Sequence, residues 1–125
     1  FDPREESDYL PHTYDKNCVV YTGTHDNDTI MGWVKTVKEE DLHFAGKYLK
    51  LSFEEGINWG FIRGAFSSVA DLCIIPMQDF LGLGQEARMN IPSTLGNNWT
   101  WRMKEDALTD KLAEKIAKLT RMYGR

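Results

Sequence analysis

Two short, continuously apolar runs constrain the fold of this chain more than any other feature. They are segments 18–22 (CVVYT) and 72–76 (LCIIP). Runs of this kind are typical of strands buried on both faces, as in parallel sheets. Helical spacing fills the segment between them, and strand–helix–strand order indicates a parallel pair with a right-handed crossover. The sequence therefore predicts an α/β protein in which both runs lie in one parallel sheet.

Helix starts are predicted from polar residues that precede apolar faces. Asp28 is a candidate N-cap for a short helix through Val34. The other predicted starts are two capping-box pairs and one threonine: Thr36 with Glu39, Ser52 with Glu55, and Thr109. Residues 77–106 carry Gly, Asn and Pro without a clear period, and we expect a long loop there.

The chain is short for the fold that these elements indicate. Two strands do not make a stable parallel sheet, and a (β/α)₈ barrel needs about 250 residues, whereas the chain has 125. It opens with acidic, loop-like sequence and no initiator Met. We therefore expect a portion of a longer protein.

Composition excludes several classes of function. The net charge of -4 gives no basic footprint for nucleic acid or a membrane surface. No apolar run approaches the roughly 18 residues of a membrane span. Cys18 and Cys73 lie inside the apolar runs, which favours buried free thiols and a cytoplasmic location over a disulfide.

The chemically informative segment is 21–29 (YTGTHDNDT), directly after the first predicted strand. Sites of parallel α/β folds are built at this end of the strands. His25 beside Asp26 supplies a donor and an acceptor for vicinal sugar hydroxyls. The alternatives are that Asp28 serves only as a helix cap, that Asp26 only forms a turn, and that His25, Asp26 and Asp28 hold a divalent metal.

Three sequence blocks carry a family resemblance. They are VVYTGTHDNDT followed by GW, PMQDFLGLG followed by EARMN, and PST followed by NWTWR, with YLPH upstream. In this order and spacing they resemble the 4-α-glucanotransferases of the amylomaltase and disproportionating-enzyme family (glycoside hydrolase family 77). Ser93 stands where the family often has Gly, which leaves the local loop shape open.

The resemblance implies that residues 1–125 are the C-terminal part of a catalytic (β/α)₈ barrel, with 18–22 and 72–76 as its last two strands. It implies transfer of a 1,4-α-glucan segment to the 4-hydroxyl of an acceptor glucan or glucose by retaining double displacement. The nucleophile and acid/base of the family lie on earlier strands, and neither motif occurs here. No metal and no organic cofactor is implied. The partners implied are a maltooligosaccharide substrate and the remainder of the barrel.

The same resemblance assigns site residues. Asp26 is the family's third, transition-state-stabilising carboxylate, with His25 beside it, and both hold hydroxyls of the sugar just before the scissile bond. The predicted substrate contacts are Asn27, Gln78, Asp79 and Asn90. For Gln78 and Asp79 the alternative is hydrogen bonding that fixes the loop, and Arg88 is expected in a structural ion pair.

The tryptophans have structural and functional interpretations. We expect Trp59 in the core, and we expect Trp99 and Trp101 to pack the last helix rather than stack on sugar. Two interpretations remain for the whole chain. It is either a portion of a catalytic domain that is inactive by itself, or a non-catalytic glucan-binding or structural module.

Overall fold

A parallel pair of short strands forms the centre of the fold. The computed structural model of the chain describes residues 1 and 7–125. Strand β1 (Val19–Tyr21) pairs in parallel with β2 (Leu72–Ile74), and Val20 lies opposite Cys73. The predicted parallel α/β arrangement is confirmed. Both strands are shorter than the apolar runs, and β2 ends two residues before Pro76, which has no N–H to donate to a ladder.

Helices lie between the strands and after them. Helices α1 (Ile30–Thr36), α2 (Glu39–Leu49) and α3 (Ile57–Phe66) connect β1 to β2, and α4 (Met77–Phe80) and α5 (Asp110–Met122) follow β2. Single 3₁₀ turns occur at Pro11–Thr13 and Gln85–Ala87. The expectation of an unstructured loop after β2 was wrong for α4, a single turn too short to produce a periodic pattern.

The predicted start of α1 is wrong by one residue. Its N-cap is Thr29, whose hydroxyl accepts a hydrogen bond from the Gly32 N–H at 3.1 Å. Asp28 instead accepts from the Thr29 N–H at 2.8 Å. Asp28 therefore shapes the turn that precedes the helix.

The two predicted capping boxes do not form. Thr36 ends α1 and donates to the Gly32 carbonyl, while α2 begins after Lys38 without a side-chain cap. Ser52 does accept from the Glu55 N–H at 3.2 Å, but this bond closes a turn, and α3 begins later, after Gly56. The prediction for α5 is confirmed, because the Thr109 hydroxyl accepts from the Leu112 N–H at 3.1 Å.

The sheet is covered on one face only. Val20 is buried and packs with Ala65 and Ala70, whereas its neighbour Tyr21 is 45% exposed and Ile74 is 43% exposed. The expectation of strands buried on both faces is therefore wrong for the described residues, because only the Val20 side packs against the buried cluster of Ala65 and Ala70. The opposite face carries four large apolar side chains, Val19, Tyr21, Leu72 and Ile74, that are between 42% and 52% exposed.

Helix α3 is the centre of the core. Ile62 is completely buried and packs with Ile30 and Phe66. Gly64 allows α2 to approach closely, since a Cβ at this position would lie 2.5 Å from Cδ2 of Leu49. This close packing fixes the position of α2 relative to α3.

Two smaller expectations concern the cysteines and the membrane. Cys18 and Cys73 are free and partly buried, and burial raises the pKa of the Cys73 thiol above its ordinary value. Across the described residues, no helix has the length and apolar character to cross a membrane.

Candidate functional site

The candidate site lies where β1 and β2 end, as the sequence predicts for a parallel sheet. The loop after β1 and helix α4 after β2 face one open cavity of about 450 Å³. Predicted site residues from both segments line this cavity: His25, Asn27, Gln78 and Asp79. Residues far apart in the chain are thus brought to one edge of the sheet.

His25 and Asp26 form a partly exposed polar pair. Nε2 of His25 lies 3.3 Å from Oδ1 of Asp26, and the two side chains are 55% and 48% exposed. Nδ2 of Asn90 donates to the same carboxylate oxygen at 2.7 Å. Within the part of the chain that the structure describes, the second oxygen of Asp26 receives no hydrogen bond, so the carboxylate keeps an acceptor for a ligand hydroxyl.

Asn27 shapes the turn that carries this pair. Its Oδ1 accepts from the Thr24 N–H at 2.8 Å and from the Thr24 hydroxyl at 3.0 Å. A side chain that bonds the backbone in this way stabilises a tight turn. Asn27 thereby holds the loop in the shape that presents His25 and Asp26.

Asp79 is the buried carboxylate of the site, at 2% exposure. Its Oδ2 accepts from the Thr22 hydroxyl at 2.6 Å and its Oδ1 accepts from the Ile30 N–H at 2.8 Å. Burial raises the pKa of Asp79 above its ordinary value; the two hydrogen bonds oppose this rise, and nearby Asp28 adds to it. The carboxylate therefore joins the start and the end of the loop that carries Asp26.

Gln78 and the backbone of Asp79 have structural partners as well. Nε2 of Gln78 donates to the Ala87 carbonyl at 3.2 Å, and Nδ2 of Asn58 donates to the Asp79 carbonyl at 2.8 Å. These are the loop-fixing hydrogen bonds that the sequence offered as an alternative to substrate contact. They tie α4 to α3 and to the segment that leads to Asn90.

Arg88 is a site residue whose role the sequence did not indicate. Its Nη2 donates to the Asp26 carbonyl at 2.7 Å and its Nε donates to the Asn90 carbonyl at 2.9 Å. The expected ion pair does not form with any described acid. The backbone N–H of Asn90 in turn donates to the His25 carbonyl at 3.1 Å.

Trp99 packs against His25 of the site. Its ring centroid lies 5.0 Å from that of His25, with an interplanar angle of 37°. Its backbone has φ of 62°, and its N–H donates to the Met89 carbonyl at 2.7 Å. That Trp99 and Trp101 pack the last helix stays a prediction, whereas Trp59 packs beside the buried Ile62 cluster as predicted.

The described residues do not form the divalent-metal site that the sequence left as an alternative. Among residues 1 and 7–125, no three His, Cys, Asp or Glu side chains converge in a way that would hold a metal ion. His25 and Asp26 are paired with each other, and Asp28 bonds the adjacent backbone. The site as described is a set of hydrogen-bonding groups.

Comparison with known proteins identifies the family. A sequence profile described as 4-alpha-glucanotransferase, glycoside hydrolase family 77, matches residues 1–109. The chain belongs to this family. The relationship inferred from the three sequence blocks is thereby confirmed.

Individual relatives of the family agree. The chain is 60% identical to a 4-alpha-glucanotransferase of Clostridium butyricum over 118 residues, which cover 94% of the chain and 24% of that relative. It is 50% identical to a chloroplastic/amyloplastic 4-alpha-glucanotransferase of Solanum tuberosum, covering 96% of the chain and 21% of that protein. The chain therefore spans about a quarter of the length of the curated relatives that it matches.

A solved structure shows the same architecture. The amylomaltase from Streptococcus agalactiae in complex with acarbose superimposes with a TM-score of 0.92 at 35% sequence identity, over 96% of this chain and 24% of that one. The α/β arrangement of the chain is thus that of a segment of amylomaltase.

Proposed function

We propose that residues 1–125 are the C-terminal part of a catalytic (β/α)₈ barrel of glycoside hydrolase family 77, with β1 and β2 as its last two strands. The one-sided sheet supports this assignment. In such a barrel one face of each strand packs on the outer helices and the other fills the interior. The exposed row of Val19, Tyr21, Leu72 and Ile74 suits that second face, and the remainder of the barrel is the partner that would cover it.

The activity that the site supports is transfer of a 1,4-α-glucan segment to the 4-hydroxyl of an acceptor glucan or glucose. The observation that carries this proposal is the half-exposed Asp26 carboxylate, whose Oδ1 accepts from Asn90 and lies 3.3 Å from Nε2 of His25. Its second oxygen receives no hydrogen bond from the described residues and is available to a ligand hydroxyl. Placed at the carboxyl end of a barrel strand, it is suited to receive hydroxyls of a bound sugar. Acarbose, a glucan-like ligand, occupies the amylomaltase of Streptococcus agalactiae that shares this fold.

Asp26 contributes to catalysis by differential binding. A charged acceptor forms a stronger hydrogen bond than a neutral one, and bonds to the 2-hydroxyl strengthen as an oxocarbenium-like transition state develops. Interactions that are stronger in the transition state than in the ground state accelerate the reaction. His25 and Asn90 extend the sugar-binding surface next to Asp26.

The other predicted contacts shape the site. Asn27, Gln78 and Asp79 line the cavity, but their polar groups are engaged by Thr24, Ala87, Thr22 and Ile30. We propose that these three residues maintain the shape of the two loops. They determine where the sugar-binding groups stand relative to the sheet.

The chain supplies one part of a shared active site. Retaining transfer needs a nucleophilic carboxylate and a second carboxyl as acid and base, and we assign both to the part of the barrel that precedes β1. We expect the isolated chain to be inactive. No cofactor is needed for this chemistry, and a cytoplasmic location stays a prediction.

A chimera tests this proposal. The 4-alpha-glucanotransferase of Clostridium butyricum would receive residues 1–125 in place of its matching quarter. With maltotriose as substrate, we expect the chimera to release glucose together with longer oligomers, while the isolated chain releases nothing. Inactivity of a correctly folded chimera would count against the proposal. Acarbose binding by the isolated chain would favour the glucan-binding module instead.

A further inference from the structure

Arg88 connects the two loops of the site through their backbones. One guanidinium donates from Nη2 to the Asp26 carbonyl at 2.7 Å and from Nε to the Asn90 carbonyl at 2.9 Å. The first of these bonds links positions 62 residues apart in the sequence. We propose that Arg88 is a positioning residue that sets the orientation of the Asp26 carboxylate; this inference rests on the proposed function.

The residues joined by Arg88 also bond each other. The Asn90 N–H donates to the His25 carbonyl at 3.1 Å, and Nδ2 of Asn90 donates to Oδ1 of Asp26 at 2.7 Å. Arg88 thus fixes Asn90, and Asn90 fixes both His25 and the carboxylate of Asp26. The main chain of the arginine is itself anchored, because the Ala87 carbonyl accepts from Gln78 and Ala87 is completely buried.

The contacts of Arg88 allow its effect on the orientation of Asp26 to be tested separately from its positive charge. Arg88 forms no ion pair within 4.0 Å of any described carboxylate, so its contact with Asp26 is through the peptide carbonyl. A planar guanidinium has donors in a fixed fork and reaches two carbonyls at once, whereas the single ammonium of lysine is a point charge on a flexible stem. Arg88→Lys therefore preserves the charge and removes the rigid fork that bridges the two carbonyls.

Misplacement of a catalytic group affects turnover steeply. A displacement of about 1 Å costs on the order of a hundredfold in rate. Since Asp26 acts on the transition state, the loss should fall on kcat more than on KM. In the chimera described above, we expect Arg88→Lys to lower kcat roughly ten- to a hundredfold, with KM changed by less than about threefold.

Arg125 offers a matched control. It also donates to backbone carbonyls, those of Phe66, Ser68 and Ala70, at the opposite end of β2 from the site. Arg125→Lys should lower the Tm of the chimera and leave kcat within about twofold. A comparable fall in kcat for Arg125→Lys would mean that any lost arginine bridge impairs turnover, and it would overturn the specific role of Arg88.

The double variant identifies the group through which Arg88 acts. If Arg88 works by orienting Asp26, the Asp26→Asn/Arg88→Lys variant should be no slower than Asp26→Asn alone by more than about twofold. Multiplying losses would show that Arg88 acts elsewhere and would refute the inference, as would an Arg88→Lys enzyme with unchanged kcat.

Two further results have their own interpretation: an Arg88→Lys variant that does not fold, and a failure of the proposed function itself. If Arg88→Lys does not fold, Arg88→Met replaces it, because its thioether has no N–H to donate to either carbonyl; unchanged kcat in that variant overturns the inference. The proposed function fails if the parent chimera is inactive or if its Asp26→Asn variant is fully active. The inference about Arg88 alone fails if the chimera is active, Asp26→Asn is strongly impaired and the Arg88 variants have normal kcat.

Discussion

Asp79→Ala should release the loop that carries His25 and Asp26, because the carboxylate of Asp79 holds both ends of that loop. The change leaves the Thr22 hydroxyl and the Ile30 N–H without their acceptor. A hydrogen bond to a charged group contributes about 1.5–3 kcal/mol, so two such bonds amount to about 3–6 kcal/mol. The raised pKa of Asp79 shows that burial of the charge offsets part of this gain. We therefore expect a net local loss of about 2–4 kcal/mol.

Hydrogen exchange at the Ile30 amide measures this loss directly, because that N–H donates to Asp79. A loss of about 2–4 kcal/mol corresponds to exchange that is roughly 30- to 1,000-fold faster where local opening controls exchange. The measurement is made in the chimera, with Asp71→Ala as control. The Asp71 side chain is exposed, and its removal should leave the Ile30 amide unchanged. Equal protection of that amide in Asp79→Ala and in the unchanged protein would refute the reasoning.

The same carboxylate predicts a pH dependence with a definite sign. Its pKa in the folded protein is raised above the ordinary value of 3.8, so the folded state binds this proton more tightly than the unfolded state does. The part of the stability that depends on protonation of Asp79 is therefore fully present below pH 3.8 and is lost as the pH rises through its raised pKa. The hydrogen bonds that the charged carboxylate accepts from Thr22 and Ile30 remain above that pH. Asp79→Asn removes this titration, so its Tm deficit should grow as the pH is lowered through that window. A deficit that shrinks on acidification would contradict the assignment.

The remaining predictions concern packing and capping. Gly64→Ala places a Cβ 2.5 Å from Cδ2 of buried Leu49 and should cost about 1–3 kcal/mol, seen as a lower Tm of the chimera. Gly46→Ala is its matched control, since its Cβ would meet nothing within 4 Å in a helix interior, and a gain of about 0.5–1 kcal/mol is expected. Thr109→Ala removes the N-cap of α5 and should cost about 1 kcal/mol. An unchanged Tm in Gly64→Ala would contradict the close packing of Gly64 on Leu49. An unchanged Tm in Thr109→Ala would contradict the role of Thr109 as N-cap.

Local chemistry explains what the sequence did predict. The parallel pair follows from two apolar runs separated by helical spacing, and α5 follows from Thr109 before a periodic apolar face. Family membership follows from the sequence blocks, which lie within the matched residues 1–109. In each of these cases the signal lies within a few residues of the element that it predicts.

Tertiary contacts explain what local patterns missed. Asp28, Thr29 and Thr36 are all plausible caps by residue type, and the bond from the Ile30 N–H to Asp79 selects Ile30 as the first residue of α1. The link from Arg88 to Asp26 spans 62 residues, and no spacing rule in the sequence connects them. The position of Trp99 beside His25 depends on a left-handed backbone with φ of 62°, which is uncommon for a bulky residue.

The expectation for the sheet failed for a different reason. An apolar run of β-type residues reports that a strand will be buried, and it does not report what covers each face. Val20 is covered by helices of this chain, while Tyr21 and Ile74 remain exposed. We propose that these side chains pack in the barrel interior of the complete protein, which is the condition under which the prediction of a fully buried strand would hold.

Comparison of Asp26→Asn with Asp28→Asn in the chimera tests the central claim most directly. The two carboxylates are on the same loop, but Asp26 is half exposed and has one oxygen that receives no hydrogen bond from the described residues. Asp28 instead accepts from the Thr29 N–H, a bond that asparagine retains. With maltotriose as substrate, we expect Asp26→Asn to lower kcat by on the order of a hundred- to a thousandfold with little change in Tm, and Asp28→Asn to lower it far less. Near-normal turnover by a folded Asp26→Asn chimera would contradict the claim that this chain contributes an essential carboxylate to the active site.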